Sequence, residues 1–67
     1  MPTSKEIIAF KIGARARKFL AEGCPIEGYE VLFTALEEVK ENGDDELRIL
    51  LEREIDKYEK RVDEADA

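Results

Sequence analysis

Two short interruptions, Gly23-Cys24-Pro25 and Asn42-Gly43, cut this chain into three stretches in which apolar residues recur every three or four positions. Such a recurrence is the imprint of an α-helix with one buried face. In the first stretch the stripe is Ile8, Ile12, Ala16, Phe19 and Leu20, widened by Ile7 and Phe10. In the second it is Tyr29, Leu32, Ala35, Leu36 and Val39, flanked by Ile26 and Phe33. In the third it is Leu47, Leu51, Ile55, Tyr58 and Val62, with Ala65 trailing. Connections this short make successive helices antiparallel. The expected fold is all-α: an antiparallel up-down-up three-helix bundle, a single domain over residues 1–67, with helices near 4–22, 25–42 and 45–64.

Local signals agree with that partition. Thr3-Ser4-Lys5-Glu6 reads as a capping box, in which a hydroxyl and a carboxylate satisfy free backbone donors. Gly23 suits a left-handed helix stop, and Pro25 the first turn of the next helix, where its missing N–H is not needed. Asn42-Gly43 can also mark a β-hairpin. Both of its flanks have a period near 3.6, so a helix–helix turn is expected. Asp44 or Asp45 caps the third helix, and Asp44 stands four residues before Arg48, a favourable spacing for an ion pair. Gly13 lies inside the first helix at a cost of about 1 kcal/mol relative to Ala. Its expected use is close approach of a neighbouring helix.

The chain has 67 residues, of which 43% are hydrophobic and 42% charged. That balance fits a small helical domain with a charged exterior and is not the composition of a disordered chain. A core this small leaves only a modest stability margin. The net charge is −6, unevenly spread: residues 1–23 carry five basic and two acidic residues, residues 24–67 six basic and fifteen acidic. An acidic protein is repelled by phosphate backbones, so nucleic acid is not expected as a partner. No apolar run approaches the roughly 20 residues needed to span a bilayer, and the start lacks a signal-peptide core. The expected setting is the cytoplasm, with no direct membrane insertion.

A search for chemistry yields little. There is no His, the usual general base and metal ligand. Cys24 is the only cysteine, so neither an intramolecular disulfide nor a cysteine-built zinc site can form. Glu37, Glu38 and Glu41, or Asp44, Asp45 and Glu46, lack the loop spacing of a calcium site. No catalytic residue, metal or cofactor is expected. Lys11, Arg15 and Lys18 form a basic stripe that could receive an acidic peptide or a lipid headgroup, although a solvated face is the simpler reading.

The apolar inventory says more. Val31, Phe33, Ile49 and Leu50 lie off the central stripes. Exposed between helices 2 and 3, they would form a groove edged by Glu30, Glu46, Glu54 and Lys57, able to hold an amphipathic helix. The candidate peptide-binding residues are Val31, Ala35, Leu50, Glu54, Lys57 and Arg61. Equally, the surplus could complete a wide core or the interface of a homodimer.

The pattern resembles an MIT (microtubule-interacting and trafficking) domain, a relative of tetratricopeptide hairpins with a third helix. Ala16, Gly23, Gly28 and Ala35 match the family's small positions, and Leu32, Leu36 and Val39 its large apolar ones. In the third helix Leu51, Ile55, Tyr58, Arg61, Val62 and Asp63 follow the family order. Glu59 stands where the family commonly has leucine, Pro25 where it often has an aromatic residue, and Gly28 where it has alanine. The resemblance implies a recruitment module that binds the C-terminal tails of ESCRT-III proteins. One family mode is a leucine-rich helix between helices 2 and 3. The other is an extended, proline-containing peptide between helices 1 and 3, which Glu59 affects less.

Overall fold

The structure, a computed structural model, describes residues 1–66, with the side chain of Asp66 outside the description. Three helices follow one another: α1 (Ser4–Ala21), α2 (Pro25–Asn42) and α3 (Asp45–Asp66). Every pair of helices is in contact, so the fold is an all-α, up-down-up three-helix bundle in which α1 and α3 run parallel and α2 opposes both.

Each boundary has a local cause. At α1 the Thr3 hydroxyl accepts the Glu6 backbone N–H at 3.2 Å. The helix ends in a Schellman turn: Gly23, at φ +85°, donates to Leu20, and Cys24 donates to Phe19. Pro25 opens α2 without a side-chain cap. Gly43, at φ +72°, closes α2 in the same way, with Gly43 donating to Lys40 and Asp44 to Val39.

Asp44 then serves three helices at once. Its backbone helps to close α2, and its carboxylate caps α3 by accepting the Leu47 N–H at 3.2 Å. The same oxygen receives Lys5 Nζ of α1 at 3.0 Å. The Lys5 hydrogen bond, then the Leu47 N–H, hold the Asp44 carboxyl below its ordinary range. The expected Asp44–Arg48 pair gives way to this arrangement, and Arg48 pairs with Asp45 and Glu52 instead.

The core is Leu32, Leu36 and Val39 of α2, Leu51, Ile55 and Tyr58 of α3, and Ala9 and Ala16 of α1. The contribution of α1 corrects the sequence expectation. Its fully buried positions are the small residues Ala9, Gly13 and Ala16, whereas Ile8 is exposed and Ile12 and Leu20 are only partly covered. Small residues on α1 let the larger side chains of α2 and α3 fill the centre.

Candidate functional site

The small-residue face of α1 shapes the seams on both of its sides. Toward α3, Gly13 sits directly beneath Glu54; a Cβ here would run into the Glu54 carboxylate. Glu54 is only 6% exposed. A carboxylate removed from water needs partners. Arg17 supplies one, with Nη1 at 3.2 Å from Oε2, and Lys57 a second, with Nζ at 3.7 Å from Oε1. The Arg17 guanidinium also lies over the Phe10 ring, 5.3 Å from its centroid, within cation–π range. Helix α1 thus presents Phe10 outward from a braced position, 59% exposed.

Above this floor the α1–α3 seam opens into a recess of about 600 Å³. Ile7, Ala9, Phe10 and Leu50 give it apolar walls, and Lys11, Arg53 and Lys57 stand at its mouth with Glu6. A second hollow of about 630 Å³ continues the seam toward the C-terminal end of α3. It shares Phe10, Glu54 and Lys57 with the first and adds Arg17, Lys60, Arg61 and Glu64. The seam is therefore edged by basic groups along its length and loses its apolar walls toward the C-terminal end of α3.

The α1–α2 seam is different. Gly28 of α2 meets the Ala16 carbonyl and the Tyr58 hydroxyl, with no room for a Cβ. Tyr58 reaches in from α3 and donates its O–H to the Pro25 carbonyl at 2.6 Å. Burial first, then the neighbouring Tyr29, raises the Tyr58 hydroxyl above the ordinary tyrosine value. Outside this contact lies a hollow of about 590 Å³ with Ile12, Phe19, Val31 and Ala35 on its floor. Glu27, Glu30 and Glu38 rim it, against Arg15 alone.

At the third seam, between α2 and α3, one aromatic contact crosses from helix to helix. Tyr29 stacks on Phe33 with centroids 5.9 Å apart and meets Tyr58 edge-on at 4.8 Å.

The six sequence candidates therefore do not form one groove between α2 and α3. Val31 and Ala35 line the α1–α2 hollow. Leu50, Glu54 and Lys57 line the α1–α3 recess, and Arg61 its continuation. Of the expected acidic rim, Glu30 belongs to the α1–α2 seam, Glu46 approaches Lys5 at 3.5 Å, and Glu54 is spent on Arg17 and Lys57. Ile49 is exposed. The residues missed are Ile7 and Phe10, read from sequence as core, together with Arg17 and Arg53. The signal that could have found them is the Ala9-Gly13-Ala16 spacing, which marks a second face of α1 in competition with the face of Ile8 and Ile12.

Among the described residues no three His, Cys, Asp or Glu side chains gather where a metal ion could bind. No helix there is long and apolar enough to cross a membrane. Comparison with protein-family models, with curated proteins and with solved structures returns no match for this chain.

Proposed function

We propose that this chain is a non-catalytic interaction module that seats a short peptide segment of a partner protein in the seam between α1 and α3, and so acts as a recruitment adaptor. One observation carries the reading: Ile7, Phe10 and Leu50 surround an open recess whose floor is pinned by the Glu54–Arg17 pair. Large apolar side chains held around a concavity are a feature of peptide-docking sites. The resemblance to MIT domains adds a partner class, ESCRT-III-type tails, and a cytoplasmic setting. It also includes a mode between helices 1 and 3.

A second reading has its own support. Ile7 and Phe10, one turn apart on the same flank of α1, are both exposed, and a homodimer would cover such a pair. An amide-resolved NMR titration with a leucine-rich helical tail and an extended proline-containing tail tests the docking reading. Shifts confined to α1 and α3 support it. A fixed dimer mass in sedimentation at low micromolar concentration, with no shifts from either peptide, would transfer the argument to self-association.

A further inference from the structure

We propose that the segment docked between α1 and α3 is acidic, with apolar anchors at one end and a run of carboxylates at the other. This rests on the docking reading above and names the chemistry of its partner.

The inference starts from charge. The chain as a whole carries −6. Along this one seam the balance reverses, with Lys11, Arg17, Arg53, Lys57, Lys60 and Arg61 facing Glu6, Glu54 and Glu64. Glu54 presents no free charge to a ligand, because Arg17 and Lys57 already neutralise it. Lys11, Arg53, Lys60 and Arg61 make no ion pair among the described residues. They are concentrated on a molecule whose remaining surface is strongly acidic. An acidic segment is therefore attracted to this seam and repelled elsewhere, which gives register as well as affinity.

The gradient sets the order of the partner's residues. Apolar walls lie at the Ile7, Phe10 and Leu50 end, beneath Lys11 and Arg53, whereas Lys60 and Arg61 at the other end stand beside few apolar groups. From Leu50 to Glu64 the seam follows α3 for about 21 Å at 1.5 Å per residue, the length of roughly fourteen helical residues. An anionic bilayer satisfies the same charges less well. It is flat, whereas these apolar groups line a recess between two helices, and the net charge of −6 opposes approach to it.

The test uses the labelled 67-residue chain and two synthetic peptides of about fourteen residues, a length set by the helical rise. The first carries two leucines one helical turn apart, followed by a run of Asp and Glu. In the second, Asn and Gln replace the acids. The expected result is that the acidic peptide shifts resonances around Phe10, Leu50 and Arg61 and binds about tenfold tighter than its neutral counterpart. That preference should vanish near 1 M salt, where screening shortens to about 3 Å. Lys60→Glu combined with Arg61→Glu, both at exposed positions, should abolish the preference with the circular dichroism unchanged. Phe10→Ala should weaken both peptides. Equal binding of the two peptides in the seam overturns the acidic partner and leaves the docking reading standing. Shifts from neither peptide overturn both. Capture of the chain by phosphatidylserine vesicles through Phe10 and Lys11 overturns the peptide in favour of a lipid surface, and a concentration-dependent mass overturns it in favour of a second copy.

Discussion

The two seams flanking α1 use the same device and finish it differently. Each closes on a glycine with no room for a Cβ. Toward α2 the obstacle at Gly28 is the Ala16 carbonyl together with the rigid Tyr58 ring. Toward α3 the obstacle at Gly13 is the end of the Glu54 side chain. A backbone obstacle can yield only if a helix moves, whereas a side-chain obstacle can yield by rotation. The mouths differ too, acidic Glu27, Glu30 and Glu38 on one side and basic Lys11, Arg53 and Lys57 on the other. Rigid closure thus lies beside the acidic hollow. Adjustable closure lies beside the open apolar recess.

The sharpest way to break this contrast is Gly28→Ala. The new methyl would run into the Tyr58 hydroxyl and ring and lie 2.8 Å from the Ala16 carbonyl oxygen. Overpacking of this kind costs about 3 kcal/mol at the upper end of its usual range. For a domain of this size that lowers the melting temperature by on the order of 15 °C. A thermal melt indistinguishable from the parent would mean that α2 is not closed on the backbone of α1.

Next in size is Arg17→Ala. It leaves the buried Glu54 carboxylate with Lys57 alone, 3.7 Å away. Stranding a buried charged group costs about 2 kcal/mol. Urea denaturation checks this, and the double variant with Glu54→Gln should recover part of the loss, because the stranded charge is then gone. Strictly additive losses would argue that the pair contributes nothing as a pair.

Much of the fold is legible in the sequence because the helix ends carry their own chemistry: Thr3, Gly23, Pro25, Gly43 and Asp44 each act within a few residues of themselves. Two things are not legible. One is the rotation of α1. Area burial favours turning Ile8 and Ile12 inward, while close packing against Leu32, Leu51 and Tyr58 favours Ala9, Gly13 and Ala16, and periodicity cannot rank the two. The other is the hand of the bundle. Periodicity places Val31 and Leu50 beside their stripes, but the flank of α2 that meets α1 in one hand meets α3 in the other. That is why the candidate site residues divide between two seams. Glu54 was hidden for a related reason: its burial depends on Gly13 and Arg17, which lie 41 and 37 positions away.

Tyr58→Phe sharpens the account of the α2 side at smaller cost. It removes one hydrogen bond, to Pro25, and keeps the ring between Gly28 and Tyr29. The expected loss is about 1 kcal/mol. The same hydroxyl predicts an alkaline signature. Its folded pKa is raised above the ordinary value of 10.0, so the neutral form is favoured in the native state. The associated stability is fully present below pH 10.0 and is lost as pH rises through the folded value. Denaturation followed from neutral pH upward should show the parent losing more stability above that point than Tyr58→Phe. Parallel curves would remove Tyr58 as the cause.

Gly13→Ala should have the smallest effect of all, which makes it the most telling partner for Gly28→Ala. Two terms oppose each other. Alanine within a helix gains about 1 kcal/mol over glycine. Against that, the methyl must displace the Glu54 carboxylate and disturb Arg17, whose Nη1 would lie 3.2 Å from it. Glu54 can swing toward Lys57 and solvent, so the displacement costs about as much as the helix gains, and the net change should stay within about 1 kcal/mol of zero. The disturbance should appear instead in NMR as altered Arg17 side-chain and Phe10 ring resonances, since that guanidinium bridges Glu54 and the ring. If Gly13→Ala unfolds the chain as readily as Gly28→Ala, the α3 seam is as rigid as the α2 seam. The recess between α1 and α3 would then have to be treated as a fixed cleft, able to accept only a segment whose shape already matches it.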